Sequence, residues 1–433
     1  IKYAHPLPDV SEKEINYMKA ECRFFIAYYH AVMAMTYGGV PIIREAAEEI
    51  SGESLLLKQE PFYDVVDWAA NELLEASRQL PASYDEANKY GRITSLICLA
   101  MRARLLTFAA SDLVNGNPDP EMQAMTNVDG VKIFSATFEA NHWKRAKDAN
   151  KLLIEEAEKA GHALYKEYLS DGVAIDPFLS YQNMMMKTYK EGNTEIIFPR
   201  TKDNAGWFDD CALPRGAGGL GSLGVTQLLV DDFFMKDGKM PILGYNNSGN
   251  TQTAIINPET EYSETGYSTE DDVRATNWHY AVAGASASGD SHVVAPKNTF
   301  NMYCNREPRF YISVVYNEQY HWGKGKATNF FFNGEDGQPS HDNPSAGYLI
   351  RKHVDPTFVH STNTGTYKSR QGILYRLAEA YLSYAESALE YSIAKGTYNS
   401  EKEDIVKCIN KIRERAGIPQ YGASGLGIPT EPE

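Results

Sequence analysis

Apolar residues recur at helical spacing from the beginning of the chain, most clearly over residues 12–37. The Ser-Glu-Lys-Glu sequence at 11–14 has the form of a capping box, with Ser at the N-cap and Glu three residues later. Gly-Gly-Val-Pro at 38–41 predicts the end of the helix, because Gly permits a left-handed cap and Pro cannot continue the helix.

This first helix includes twenty residues without a charged side chain, between Arg23 and Arg44. Twenty apolar residues are about the length of a membrane-spanning helix. The run is nevertheless cut short by the glycines of 38–41, and it includes polar groups such as His30 and Thr36, which lipid disfavours. The pattern therefore predicts a buried helix of a globular protein.

Further helices follow the same apolar period and fall into pairs that are rich in Ala. Small residues allow helices to approach closely, so the pairs are similar to tetratricopeptide repeats, which form scaffolds. The predicted pairs are 12–37 with 62–80, 94–111 with 142–160, and 371–392 with 401–416, the last helix starting from a capping box at Ser400 and Glu403.

The middle of the chain differs from both ends, since residues 161–370 hold 21 of the 33 Gly and lose the helical period. Only a short helix at 225–235 and isolated strands at 195–198 and 310–316 are predicted. Loops on a rigid scaffold commonly carry binding sites. We therefore predict a mainly α fold, a tetratricopeptide-like helix-pair scaffold with a large loop-rich insert containing short strands.

The predicted organisation has three parts within one intertwined domain. Residues 1–160 form the N-terminal helical repeat part, 161–370 form the loop-rich ligand-binding insert, and 371–433 form a C-terminal helix pair. Because the apolar stripes of this last pair need neighbours, we expect it to pack on the N-terminal helices.

Charge and cysteine content exclude several functional classes. The formal net charge of −15, without a long Lys/Arg run, argues against nucleic acid as a partner. The five cysteines are far apart and odd in number, so we interpret them as free thiols rather than as a zinc site or a disulfide framework.

Two short motifs suggest other chemistry. Gly-Ala-Gly-Gly-Leu-Gly at 216–221 matches a dinucleotide fingerprint, but no strand is predicted before it, so we interpret it as a flexible loop. The acidic stretch 333–343 is a candidate surface calcium site, although it lacks the alternating ligands of an EF-hand loop. No cofactor and no other metal are predicted. No carboxylates fall in a motif that identifies a catalytic pair, although the two carboxylates of a glycosidase can be distant in sequence.

Aromatic residues in polar surroundings are the strongest candidates for ligand binding. Flat rings stack on the C–H faces of sugars, while neighbouring polar side chains bind hydroxyl groups. The alternative is that these rings pack inside the protein. The predicted glycan-binding residues are Trp278, Tyr280, Tyr320 and Trp322, with Asn277 and His321 as polar companions. These residues form two clusters, and Trp207-Phe208 is a third cluster of the same kind.

Several segments, taken in order, resemble the SusD/RagB family. Glu307 stands where that family usually has Asp, and the matching segments extend from 21 to 419. They are ECRFFIAYYHAVMAMTYGGVP at 21–41, YGRITSLICLAMRARLLTFAA at 90–110, NTEIIF at 193–198, LVDDFFMKDGKMP at 229–241, REPRFYISVVYNEQYHW at 306–322, GYLIRK at 347–352, ILYRLAEAYLSYAESALE at 373–390 and INKIRERAGIP at 409–419.

The resemblance implies a cell-surface lipoprotein of a Gram-negative outer membrane. Such a protein captures an oligosaccharide or polysaccharide, performs no chemistry, and covers a TonB-dependent transporter of the SusC type. Its helical repeats would face the transporter and its aromatic loops the ligand. Because family members begin with a signal peptide and a lipid-bearing Cys, we expect both to be missing from this chain. The alternatives are a relative that captures peptides and a glycoside hydrolase.

Overall fold

A computed structural model describes most of the chain. The described residues are 5–44, 56–202, 205–249, 251–272, 293–338, 341–356, 358, 370–424 and 429–430. They belong to two compact units. Unit 1 is Ile1–Ala163, Thr194–Pro199 and Ile373–Ile409, and unit 2 is Leu164–Asn193, Arg200–Gly372 and Asn410–Glu433. The three-part division drawn from sequence stays a prediction.

Helices dominate the regular structure, and the strands are short. The helices are α1 Glu12–Tyr37, α2 Phe62–Gln79, α3 Ser95–Ala110, α4 Pro120–Ala124, α5 Ala140–Lys159, α6 Pro177–Met186, α7 Ala205–Ala212, α8 Gln227–Asp231, α9 Pro308–Ser313, α10 Leu377–Lys395 and α11 Tyr398–Ala416. The strands are β1 Glu167–Tyr168, β2 Ile175–Asp176, β3 Ile196–Arg200, β4 Ile242–Ser248, β5 Thr251–Ile256, β6 Val314–Val315, β7 Tyr320–His321, β8 Lys326–Ala327, β9 Leu349–Ile350 and β10 Gly372–Arg376.

Unit 1 is a stack of helices. Helix α1 packs on α2, α2 on α3, α3 on α5, and α5 on α10. Small residues lie at these contacts, and Ala103, Ala146 and Ala388 are fully buried, so the backbones approach closely. Two predicted helix pairs and the mainly α fold are thereby confirmed, whereas the packing of α10 on α11 stays a prediction.

Helix α1 has the predicted boundaries, and its caps are largely those expected from the sequence. The Ser11 hydroxyl accepts a hydrogen bond from the Glu14 backbone N–H at 3.2 Å. The Glu14 carboxylate does not complete a capping box with Ser11, because it lies within salt-bridge distance of Lys89 and Arg92. At the other end Gly38 adopts a positive φ of 78°. Among the described helices, none combines enough length and apolar character to span a membrane.

The C-terminal helices begin at different residues from those predicted. Residues 372–376 form β10, which pairs with β3, so the helix predicted from 371 starts only at Leu377. The Leu377 N–H donates to the Glu195 carbonyl at 2.9 Å, and this tertiary pairing overrides the helical period. Helix α11 begins at Tyr398, and Ser400 lies inside its first turn, with its hydroxyl donating to the Thr397 carbonyl at 2.7 Å.

In unit 2, short antiparallel pairs replace long helices: β1 with β2, β4 with β5, β6 with β9 and β7 with β8. The strand predicted at 310–316 is wrong over most of its length, because Pro308 starts helix α9 and only Val314–Val315 are extended. The short helix at 225–235 is confirmed in part, as α8.

A buried arginine organises the connection into α9. Arg306 is 1% exposed, and its guanidinium donates to the carbonyls of Phe233 and Met302 at 2.8 and 3.1 Å. Next to it, the Glu307 carboxylate accepts a hydrogen bond from the Phe234 N–H at 2.9 Å. The Arg-Glu-Pro-Arg-Phe sequence therefore serves the fold, because its charges satisfy backbone groups of a segment that lacks regular structure.

Replacing Gly39 by Ala is expected to destabilise unit 1 by about 1–3 kcal/mol. A Cβ at Gly39 would lie 2.1 Å from the Glu60 carbonyl oxygen and 2.9 Å from Ile133. The expected penalty is thus steric, since the positive φ of the helix end falls on Gly38 and not on Gly39. Urea unfolding of the purified variant measures the loss.

Gly396→Ala is the matched control, because Gly396 has a φ of 67° but no atom within 4 Å of the added Cβ. It should cost only the left-handed backbone strain, about 1 kcal/mol. A Gly39→Ala variant that unfolds at the wild-type urea concentration would contradict the close approach to Glu60.

Candidate functional site

Three segments of unit 2 come together through buried polar contacts. They are the α7 segment 205–224, the β7–β8 hairpin 320–328 and the turn 329–338, which we call the loop cluster. Their contact is the ion pair of Lys324 with Asp336, whose side chains are both fully buried. The Asp336 carboxylate also accepts hydrogen bonds from the Gly216 N–H at 2.7 Å and the Asn329 N–H at 2.8 Å. One carboxylate therefore joins all three segments.

The glycine-rich sequence at 216–221 serves this packing. A Cβ at Gly216 would lie 2.7 Å from Lys324 and 2.8 Å from Asp336, so a larger residue would displace the ion pair. The motif begins within a 3-10 turn, Arg215–Ala217, instead of linking a strand to a helix. The dinucleotide interpretation therefore has no support, and Gly216 is explained by its close approach to charged side chains.

A second buried ion pair fixes helix α7. Arg370 approaches Asp209 with two nitrogens, at 2.6 and 2.9 Å, and both side chains are fully buried. Asp209 also accepts a hydrogen bond from the Asp355 N–H at 3.3 Å. This bidentate geometry fixes the helix from its inner side. Trp207, two residues earlier, remains 62% exposed.

The predicted ring of Trp322 is buried rather than exposed. It is 1% exposed, and its Nε1–H donates to the Phe358 carbonyl at 3.1 Å. The Arg351 guanidinium carbon lies 4.7 Å from the ring centroid. The expectation of an open stacking face is therefore wrong for Trp322, because polar partners distant in sequence bury the ring.

His321 is buried as well, with a ring stacked on Trp322 at a centroid distance of 4.0 Å. Its Nδ1 accepts a hydrogen bond from the Gly323 N–H at 3.2 Å. Burial, helped by the positive charges of Arg351 and Lys324, lowers the pKa of His321 well below its usual range. The ring is thus neutral, and only Tyr320 of this predicted group is partly exposed.

The other predicted group, Asn277, Trp278 and Tyr280, lies outside the described residues. Its role in glycan binding stays a prediction.

Two exposed rings of the loop cluster were missed at the sequence level. Phe331 and Phe332 are 50% and 73% exposed in the turn that Asp336 closes. Three consecutive Phe between Asn329 and an Asn-Gly pair were the available signal, because so apolar a triplet is unusual in a polar turn. Trp207 is a third exposed ring of the loop cluster.

The acidic stretch 333–343 that suggested calcium overlaps the second half of this turn. Asp336 already neutralises Lys324, and Glu335 lies 2.9 Å from Lys326 and 3.1 Å from Lys324. These two lysines lower the pKa of Glu335, so its carboxylate is ionised and engaged. Within the described residues, no group of three His, Cys, Asp or Glu side chains is arranged to hold a metal ion. Calcium binding at 333–343 stays untested.

Trp322→Ala is expected to lower the free energy of unfolding by about 3–5 kcal/mol, because it removes a large buried ring and leaves a cavity. Trp207→Ala is the matched control, and as the loss of an exposed ring it should cost less than about 1 kcal/mol. Equilibrium urea unfolding of both variants makes the comparison. Equal losses would show that Trp322 is not part of the core.

Acid should destabilise the fold through His321. Its pKa is lowered in the folded state, so below about pH 6.5 the unfolded chain binds more protons and the free energy of unfolding falls. The slope is about 1.4 kcal/mol per pH unit for one such group. Between about pH 7 and pH 5 the wild type should lose roughly 2 kcal/mol more than His321→Gln.

Urea unfolding at several pH values measures both slopes. Burial also lowers the pKa values of His142 and His162. The wild type and His321→Gln both retain these two histidines, so their contribution to the pH dependence is the same in both proteins. Parallel pH profiles of the wild type and His321→Gln would refute a neutral, buried His321.

Comparison with known proteins relates this geometry to a family. No curated protein matches the chain. A solved structure titled BT4246 aligns with 96% of this chain and 69% of its own, at 26% identity and a TM-score of 0.70. A SusD-like protein, BF3747, from Bacteroides fragilis NCTC 9343 shares 21% identity, with a TM-score of 0.62 over 96% of this chain and 65% of its own.

A third solved structure, the SusD-like carbohydrate-binding protein BF0978 from Bacteroides fragilis NCTC 9343, is 17% identical, with a TM-score of 0.58 over 95% of this chain and 62% of its own. These likenesses confirm the SusD-like helical fold. The model of the SusD family matches residues 180–431. Since that match covers more than half of the 433 residues, the chain belongs to the SusD family.

Proposed function

We propose that this chain is a non-catalytic, cell-surface glycan-binding protein that delivers oligosaccharide to a SusC-like TonB-dependent transporter. Membership of the SusD family supports the proposal, and one solved neighbour is titled a carbohydrate-binding protein. The observation that carries it is the loop cluster, whose segments are fixed by buried ion pairs while Trp207, Phe331 and Phe332 are exposed.

The loop cluster suits sugar recognition because the turn that carries Phe331 and Phe332 is formed before a ligand arrives. The turn is closed by hydrogen bonds from the Asp336 N–H to the Asn329 carbonyl at 3.0 Å and from the Gly334 N–H to the Phe331 carbonyl at 2.7 Å. A preformed turn loses little conformational entropy on binding. Exposed amides such as Asn333 add donors and acceptors for hydroxyl groups.

The carboxylates of the loop cluster favour binding over hydrolysis. A glycosidase needs two carboxyl groups facing the scissile bond, one of them protonated. In the loop cluster, Asp209 and Asp336 are buried against Arg370 and Lys324, and Glu335 is paired with two lysines. These acids are therefore engaged in holding the loops.

Other parts of the proposal come from the aromatic clusters of the sequence and from the family. Asn277, Trp278 and Tyr280, with the partly exposed Tyr320, are proposed to extend the binding surface. A lipid anchor would hold the protein on the outer membrane, and the helical unit would face the transporter.

Calorimetric titration with soluble oligosaccharides and with peptides tests this function. Trp207→Ala and Phe332→Ala should each weaken binding of a responsive glycan about tenfold, since a ring contact is worth roughly 1–2 kcal/mol. Tyr168→Ala, which removes a 49% exposed ring in β1 outside the loop cluster, is the matched control. Trp278→Ala should also weaken binding.

Reducing sugar is assayed in the same samples. Binding of peptides without binding of any glycan would replace the proposal with peptide capture. Release of sugar at an enzymatic rate would replace it with a glycoside hydrolase. Glycan binding that both Trp207→Ala and Phe332→Ala leave intact would move the site away from the loop cluster.

A further inference from the structure

Two Asn-Gly pairs occur in the chain, and the structure places them in different surroundings. They are Asn115-Gly116, which follows helix α3, and Asn333-Gly334, in the turn 329–338 of the loop cluster. In such a pair the backbone nitrogen of Gly can attack the carboxamide carbon of Asn, because Gly has no Cβ to hinder the approach. Ammonia leaves as a five-membered succinimide ring forms, and water then opens the ring to aspartate or isoaspartate.

The first pair is protected by burial and by hydrogen bonds. Asn115 is 3% exposed, and its carboxamide nitrogen donates to the carbonyls of Ala110 and Glu139 at 3.2 and 3.3 Å. Its carboxamide oxygen accepts a hydrogen bond from the Glu139 N–H at 2.9 Å. Because the nitrogen leaves as ammonia, the reaction has to break two of these bonds. Asn115 therefore reacts only when this part of unit 1 opens.

The second pair lacks this protection. Asn333 is exposed, and among the described residues its carboxamide has no hydrogen-bond partner. The attacking nitrogen, that of Gly334, donates to the Phe331 carbonyl at 2.7 Å, so one turn bond has to open before the ring can close. Since Phe331, Phe332 and Asn333 are all exposed, this opening disrupts little buried surface and has a low free-energy cost.

The geometry of the turn requires this reactive pair. Asn333 has a φ of 67°, a left-handed conformation that Asn adopts more readily than most residues. A Cβ at Gly334 would lie 2.5 Å from the Asn329 carbonyl oxygen and closer still to the Asn329 carboxamide oxygen. A larger residue at 334 would therefore displace Asn329, whose N–H donates to the Asp336 carboxylate at 2.8 Å.

Conversion of Asn333 would change the loop cluster in two ways. Aspartate replaces an amide donor with a negative charge two residues from the ionised Glu335. Isoaspartate carries the main chain through its side chain, which adds one carbon atom to the backbone between Phe332 and Gly334. The exposed rings of the turn would then shift relative to Asp336, which anchors the other half of the turn.

We propose that Asn333 is a site of spontaneous deamidation in the folded protein, and that its conversion weakens glycan binding by the loop cluster. The reaction takes up one water, releases one ammonia, and needs neither an enzyme nor an oxidant. The chemical part of the proposal depends on the turn alone, whereas the effect on glycan binding rests on the proposed function.

Incubation of the folded 433-residue chain in mildly alkaline buffer, followed by peptide mapping, tests the modification. Digestion at acidic pH limits deamidation during sample preparation, and electron-transfer fragmentation distinguishes isoaspartate from aspartate. Asn115 is the matched control within the same molecule. Asn333 should convert at least about tenfold faster, because an opening of unit 1 that costs more than about 1.4 kcal/mol slows Asn115 by that factor.

The urea-unfolded chain gives the reference rate, since neither pair is protected there and both should convert at similar rates. An Asn333 that stays intact in the folded chain, over the time in which the unfolded chain converts, would overturn the proposal because the turn would then protect it. Equal rates at Asn115 and Asn333 in the folded chain would overturn it as well, since the fold would not select the site.

Anion exchange separates converted from intact chains, because conversion adds a negative charge, and calorimetry then compares their binding of a responsive glycan. The converted chains should bind about tenfold more weakly, as expected for the loss of a ring contact. Asn333→Gly fits the positive φ and has no carboxamide, so its own affinity should be the same before and after incubation.

Equal affinities of the converted and intact chains would overturn the effect on binding. Absence of glycan binding by both would overturn the proposed function and this effect with it, whereas the conversion of Asn333 is decided by the peptide map alone.

Discussion

The candidate site depends on one buried ion pair, that of Lys324 with Asp336. The loop cluster has almost no regular structure, so few of its backbone groups can be satisfied by helices or long sheets. The Asp336 carboxylate satisfies two of these backbone N–H groups, which belong to different segments, by accepting their hydrogen bonds. The same carboxylate neutralises Lys324. Removing either charge would leave the other buried without its partner, at a cost of about 3–5 kcal/mol.

The two units are therefore stabilised by different interactions. In unit 1, small residues such as Ala103 and Ala388 allow helices to touch, and the apolar area buried supplies the stability. In unit 2, charged side chains such as Arg306 and Asp209 lie inside and hold the chain through hydrogen bonds. Such contacts are directional, so they stabilise one loop geometry rather than a range of them.

This difference explains what could be predicted from the sequence. Helix α1 was predicted at its observed ends, because its period, N-cap and glycines are all local signals. The burial of Trp322 was not predictable, since its partners are the Phe358 carbonyl and the Arg351 guanidinium, both distant in sequence. For the same reason β10 was taken for helix: its period is local, but its pairing with β3 is not.

The separation of anchors from rings also bears on specificity. Trp207 lies two residues before Asp209, and Phe332 lies four residues before Asp336. Each exposed ring is therefore carried by a segment that a buried ion pair fixes. An exposed ring contributes little to the core, and its replacement changes the binding surface without disturbing the ion pair. A buried anchor has no such freedom, because its loss leaves an unpaired charge. With the proposed function, replacing the exposed rings would therefore change the ligand while the geometry of the loops stays the same.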